Sequence, residues 1–415
     1  MTTMGSSSGM TTNVSDGTRK TTVLFLAVFV PFFALYFATA NKDLPYHIDA
    51  ITNVYSAWTI GTTGTPILEA HAGLTEPGYR ATYGWVVESD RGPVSQYPPG
   101  TPLLAAPLYG LFARDAVEVE LVAENETDAA PIQLPVPNLV PAAIVASATS
   151  AAGVAFLGLL LLDLGASRTH LFVGLGIVGL GTGIWSVAAD ALWQHGPDVL
   201  WLSLGMWLAG RQRWFGSGLA FGALALTRIP VVLVGVALGL QLLARREFRP
   251  ATRLAAGALP GVAALLAYNW RLFGTPTVWG GYGSGFAERA LEADPAAYLA
   301  NIGSALFDSQ HGLFVWSPII AIVVFGLPLV WRHTPWWIWT AAAGGLAYLL
   351  FQLKANRASG GDGFTYYRYP IETIASWAPL LFLAGIALWK TGPAARLAII
   401  LTAAFSIGAH TVGAI

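Results

Sequence analysis

Asp43, His47 and Asp49 stand within seven residues of one another in the stretch NKDLPYHIDAITNVYSAWTIGTTG, residues 41–64. Two carboxylates and an imidazole are the groups that general acid–base chemistry uses. They directly follow an apolar run, 22–40, so they sit at the lip of a first membrane span. Read as a helix, Asp49, Asn53 and Ser56 fall on one face, while Ile48, Ile51, Val54, Tyr55 and Trp58 supply apolar anchors for the other side. The expectation is an amphipathic helix lying along the membrane. Asp49 then has two readings: a helix cap, or a general base for a sugar hydroxyl.

Four more polar clusters follow: ESDRGPVSQYPPG (88–100), DALWQHGPD (190–198), YNWRLFGTP (268–276) with DSQHGLFVWSP (308–318), and KANRASGGDGFTYYRYP (354–370). In the second, the proline pair also fits a plain turn that starts a helix. In the third, Asp198 fits either a capping role at the next helix or chemistry, and His195 beside Trp193 fits either an interface histidine or a catalytic one. In the last, Arg368 has two readings. It is either a headgroup anchor in an aromatic belt or a two-point phosphate clamp, with Gly360, Gly361 and Gly363 letting the loop fold over a ligand.

These clusters need a scaffold, and the composition says which. Hydrophobic residues make up 54% and charged residues 11% of the 415 residues. A soluble domain carries about 25% charged residues. The chain reads as an all-α polytopic membrane protein. Apolar runs near 22–40, 138–163, 169–188, 197–210, 216–227, 229–244, 254–269, 316–331, 335–353, 373–389 and 396–413 give about eleven spans. Residues 1–21 read as a disordered cytoplasmic tail, and 22–415 as a single membrane domain. Sixteen Trp and fourteen Tyr suit two membrane interfaces.

Arg19, Lys20, Arg168, the basic stretches 211–213, 244–253 and 331–333, Lys390 and Arg396 fall on one side, which the Lys/Arg bias makes cytoplasmic. The long outer loops are 41–137, 270–315 and 354–372. The short apolar run 101–112 is read as interfacial or re-entrant, because a crossing there would send every later basic loop outside. The polar clusters all fall outside, so the active site is expected on the outer face of the plasma membrane.

The order of these motifs resembles the glycosyltransferase-C superfold, and within it the protein O-mannosyltransferases and the lipid A aminoarabinose transferases. Those families carry an acidic residue on a juxtamembrane helix of the first outer loop, about fifteen residues before a "tG" step. Asp49 stands fifteen residues before Gly64 in TTG, a register that favours Asp49 over Asp43. YPPGTPLLAAPLY is similar to their "PPL" segment and its short interfacial helix. PDVLWL looks like their Asp at the outer start of the fourth span and points to Asp198. YNWRLFGTP, HGLFVWSP and YYRYP resemble later landmarks. Two positions depart from the pattern: the usual "DE" pair is Asp49–Ala50, and the Lys before "PPL" is replaced by Gln96–Tyr97.

The resemblance implies transfer of a sugar, mannose or arabinofuranose, from a polyprenyl-phosphate donor to a glycolipid, polysaccharide or protein acceptor. The transfer would be inverting, with membrane lipid around the donor's tail. Asp49, Asp43, Asp198 and His195 are the catalytic candidates. Arg368, then Arg228, Arg271 and Lys354, would hold the donor phosphate. Asn53, Tyr97, Gln194, His311 and Tyr369 would meet the sugar or acceptor. No cofactor or metal is expected: the chain has no Cys and no HExxH. No basic patch suggests nucleic acid. The competing classes are a transporter or lipid flippase, which needs polar residues at mid-membrane, and an inactive scaffold of the same fold. Convergence of Asp49, His195, Asp198 and Arg368 on one cavity would separate enzyme from scaffold.

Overall fold

The computed structural model describes residues 11–43, 48–70, 85–121, 132–283, 285–360 and 366–415. It is 75% helical. Helix occupies every one of the apolar runs named above. Among the described residues, five helices are long and apolar enough to cross a membrane: Arg19–Thr39, Val140–Asp163, Phe248–Phe273, Pro370–Trp389 and Pro393–Ala414.

Burial sorts these helices. Val140–Asp163 is buried along most of its length and forms the centre. The N-terminal helix is peripheral. Phe25, Phe29, Phe33 and Phe37 recur every fourth residue and stack pairwise at 5.6–5.9 Å, while Val23, Leu26 and Val30 stay exposed. An apolar face of this kind marks a surface that meets lipid or protein, not water. This helix begins at Thr11, so part of the segment expected to be disordered is helical.

Two sets of contacts define the ends of the bundle. At one end Arg211 pairs with Asp163 at 2.6 Å, and Arg245 lies over the Trp336 ring at 4.9 Å. Arg211 and Arg245 each stand at the C-terminal end of a helix, His195–Gly210 and Leu233–Ala244. At the other end the Asn41 backbone donates to Asp190, joining the first loop to the 189–194 turn.

Three local expectations are corrected. The run 316–331 is broken into Leu313–Trp316, Pro318–Val324 and Leu327–Val330. Pro318 and Pro328 have no N–H to continue a helical ladder, and each stands at the start of a new piece. The first outer loop carries two antiparallel hairpins, Val86–Ser89 with Gly92–Ser95 and Ala116–Leu121 with Ile132–Pro137. The helix Ile48–Thr63 does not lie with its polar face in solvent, because residues 50–59 are buried on every side. It packs on Gly100–Phe112, the segment read as interfacial, where Gly61 meets Ala106 and Gly110 backbone to backbone. Its polar face, with Asn53 and Ser56, is turned into the protein.

The tightest seam joins Trp214–Thr227 to Phe248–Phe273. Gly218 and Gly222 on one helix face Gly257 and Gly261 on the other, at the four-residue spacing that lets two backbones touch. Any Cβ there would meet the partner's main chain.

Candidate functional site

A cavity of about 230 Å³ opens at the end of the bundle opposite the basic loops. That is below the ~300–1,000 Å³ of drug-sized pockets. Seven separate stretches of the chain build its wall.

Asp49, in the first turn of Ile48–Thr63, stands at its centre. The Tyr97 hydroxyl donates to Asp49 Oδ1 at 2.5 Å, and Arg368 Nη1 donates to Oδ2 at 2.5 Å. The Arg368 guanidinium lies 5.2 Å from the ring centres of both Trp193 and Tyr369, a stacked cation site. Gly360 has φ +71°, and a methyl group there would overlap the Arg368 side chain. Burial opposes the charge of Arg368, but Tyr369 and Asp49 outweigh it, so its pKa is raised. Burial, reinforced by the Asp49 charge, pushes the Tyr97 hydroxyl well above the usual tyrosine range. Tyr97 therefore acts here as a donor, not as an anion.

A second charged layer lies behind the first. His195 lines the cavity and its Nδ1 is 2.6 Å from Glu372 Oε1. Arg228 Nη1 donates to the same oxygen at 3.1 Å, and Tyr348 donates to Oε2 at 3.0 Å. Asp198 accepts from the Thr227 hydroxyl. Glu372 and Asp198 are fully buried. A buried carboxylate needs partners of this kind, because an isolated charge out of water costs several kcal/mol.

The predicted residues divide cleanly. Asp49, Asn53, Tyr97, Gln194, His195, Arg228, Arg368 and Tyr369 all line the cavity. Asn53 also donates to the Leu192 carbonyl at 2.9 Å, which ties its helix to the turn carrying Trp193. Asp198 stands behind the lining. The other four lie elsewhere. Asp43 is exposed, ahead of the helix start that carries Asp49 inward. His311 is held by Asp308 at 3.0 Å, where it closes its own turn. Arg271 borders a separate pocket with Arg91 and Pro99. Lys354 sits between Gln352 and Asn356, which both line the cavity. Residues four apart share a helix face, and the one midway points to the other side. His47, Gly361 and Gly363 lie outside the described residues.

Glu372, Tyr348, Arg289 and Gln96 went unforeseen. Glu372 carried a signal: an acidic residue at the mouth of a span is expensive and marks function. The apolar run 373–389 leaves it as the last residue of the loop 354–372. Arg289 comes from the helix Gly285–Glu292, inside what read as loop; its Nε donates to the Ala355 carbonyl at 3.1 Å.

Among the described residues no group of three or more His, Asp or Glu side chains could hold a metal ion. The fold and site define a class: a helical protein with membrane-length apolar helices and a charged cavity at one end of the bundle. No protein-family model, curated protein or solved structure matches the chain.

Proposed function

We propose that the chain is a membrane glycosyltransferase of the glycosyltransferase-C type, with about eleven spans, acting at the outer face of the plasma membrane. It moves a sugar, mannose or arabinofuranose, from a polyprenyl phosphate to a glycolipid, polysaccharide or protein hydroxyl. The observation that carries this reading is the meeting of Asp49, Tyr97, His195, Arg228 and Arg368 around one cavity.

Asp49 draws the proton from the acceptor hydroxyl. The acceptor oxygen bonds to the anomeric carbon, the bond from that carbon to the phosphate oxygen breaks, and the electron pair leaves with the polyprenyl phosphate. Arg368, with Arg228 and Arg289 in the same cavity lining, answers the charge that builds on the phosphate. A guanidinium suits this because it offers two parallel donors.

A lipid-linked donor has a second support. An apolar groove of about 360 Å³ runs along Pro370–Trp389, from Ile374 to Trp389, between it and Arg168–Leu180. Sixteen residues of helix make it about 24 Å long, a length for an isoprenoid chain. It begins one turn after Arg368 and Tyr369.

A transporter would set charges midway along its spans. Here His195, Asp198 and Glu372 stand in the first turn of their helices, and Arg228 at the end of its own. An inactive scaffold would have no reason to bring them together. The test is a transfer assay in proteoliposomes with a panel of polyprenyl-phosphate sugars and a glycolipid or glycoside acceptor. Transfer by wild type and its loss in Asp49→Asn is the expected result. Flux of donor across the bilayer without transfer would favour the transporter instead.

A further inference from the structure

Asp49 has a difficulty as a final home for a proton. One of its oxygens accepts from Tyr97 and the other from Arg368. Both bonds favour the ionised form, and a carboxylate beside a guanidinium gives up a proton easily. A proton drawn to Asp49 has to move on. The same cavity holds one group suited to receive it.

That group is the His195 ring. Its Nδ1 faces Glu372 at 2.6 Å, and Arg228 Nη1 lies 3.1 Å from both Nδ1 and Glu372 Oε1. The protons in this triangle follow from what each group can do. A guanidinium has donors only, so Arg228 donates to the carboxylate. Tyr348 donates to the other oxygen at 3.0 Å. Glu372 is thus surrounded by donors and is acceptor-only, which makes the Nδ1 proton the third bond it receives. With Nδ1 protonated, a neutral ring carries its lone pair on Nε2. Among the described residues no side chain is bonded to Nε2, and His195 lines the cavity. The arrangement is a carboxylate-backed imidazole, in which the buried acid fixes the tautomer and steadies the charge that forms on the ring.

We propose that His195 Nε2 is the terminal acceptor of the proton released by the sugar acceptor, with Glu372 as its positioning residue. The step rests on the transfer reading above. The hydroxyl proton passes by way of Asp49 to Nε2 as the new glycosidic bond forms. The bond from the anomeric carbon to the phosphate oxygen breaks and its electron pair leaves with the phosphate. The imidazolium is held by Glu372 until it returns its proton to the departing phosphate or to water. Arg228 keeps Glu372 ionised, and Tyr348 holds its second oxygen. Asp198 and Thr227 complete the buried layer beneath, and Arg368 is a further cation of the same lining. The division of labour separates the group that activates the hydroxyl from the one that stores the proton.

Two measurements decide it. The first needs no substrate: nitrogen NMR of the protein in nanodiscs with 15N-labelled histidine, His195 being assigned by its loss in His195→Gln. The expected ring is protonated at Nδ1 and bare at Nε2, and Glu372→Gln is expected to abolish that preference. A wild-type ring protonated at Nε2 would overturn the proposal. The second is turnover. His195→Gly is expected to lose ~10²–10⁴ in kcat with the donor KM nearly unchanged, and added imidazole to restore a measurable part of it. Glu372→Gln should lower kcat in wild-type membranes without releasing donor. Full activity of Glu372→Gln, or a His195→Gly enzyme whose loss lies in KM and ignores imidazole, would sink the relay. If Glu372→Gln fails to fold, the His195→Gly rescue decides alone. If wild type transfers no sugar from any donor, the transfer reading fails by itself, and the tautomer measurement still tests the dyad.

Discussion

Arg368 donates to Asp49 at 2.5 Å although 319 positions separate them in the chain. The residue expected to hold the donor phosphate and the residue expected to draw the acceptor proton are partners. On the proposed function, a phosphate entering the cavity has to compete with Asp49 for the same guanidinium, and donor binding is expected to loosen the carboxylate. Substitutions at the two positions are therefore not independent.

Asp49→Asn is expected to lower turnover by ~10²–10⁴, while Asp43→Asn, at an exposed position outside the cavity, stays near wild type. Arg368→Lys is expected to weaken donor binding with an unchanged melting temperature, because Lys supplies one point of contact and not two. The double variant Asp49→Asn with Arg368→Lys should lose less than the product of the single losses. Purified protein and steady-state transfer rates read all four. Normal turnover in Arg368→Lys would move the phosphate to Arg228 or Arg289.

Gly360 and Gly64 make a matched pair. Both have positive φ, +71° and +74°, but only Gly360 abuts another residue, the Arg368 side chain; nothing lies within 4 Å of a Cβ at Gly64. Alanine at either costs about 1–2 kcal/mol of backbone strain. Only Gly360→Ala should also raise the donor KM, since it displaces Arg368. Equal KM in the two variants would show that Gly360 serves the turn alone.

Asp190 makes a pH-dependent contribution. Burial pushes its pKa from 3.8 up to about 6, partly offset by the hydrogen bond from the Asn41 backbone. A proton then binds the folded chain more tightly than the unfolded one. The stability this supplies is full below pH 3.8 and is lost as pH rises through about 6, a change of no more than ~3 kcal/mol. Asp190→Asn keeps an acceptor for Asn41 but cannot ionise. Its melting temperature should exceed that of wild type at pH 7–8 and match it near pH 4. A variant less stable than wild type at pH 8 would contradict the burial argument.

The two ends of the bundle can be addressed directly, since the chain has no cysteine. Asp90 and Ser309 are exposed in the predicted outer loops, and Arg249 is exposed in a basic stretch at the other end. Asp90→Cys and Ser309→Cys should react with an impermeant thiol reagent in intact cells, and Arg249→Cys only after lysis. The reverse pattern would place the cavity in the cytoplasm.

Hydropathy alone located the helices, because each apolar run is a local property of the chain. The register of the family resemblance favours Asp49 over Asp43 and points to Arg368, with Arg228 in reserve. Neither hydropathy nor register reports that the Asp49 helix is buried on its polar side too. Burial of Asn53 depends on the Leu192 carbonyl, 139 positions away, and no window along the sequence reports that. Glu372 was hidden for a similar reason. Its partners His195, Arg228 and Tyr348 come from three other helices, and only their convergence shows why an acid stands there. The helix face is the missing information at Lys354: the span 335–353 and the loop 354–372 do not show that Gln352 and Asn356 line the cavity while the residue between them does not.

The glycine seam between Trp214–Thr227 and Phe248–Phe273 has a mechanical consequence. Two helices in main-chain contact cannot slide or part without losing that contact along its whole length, so they move as one beam. Arg228 rides on one end of this beam. Asn269, against which Gly280 packs, rides on the other strut. The wall of the cavity that holds Arg228 is therefore the fixed one. Glu372 ties Arg228 to the helix that starts just after Arg368, and the two guanidiniums lie 5.4 and 5.2 Å from the same Tyr369 ring. Both cations of the cavity are thereby referred to one rigid support.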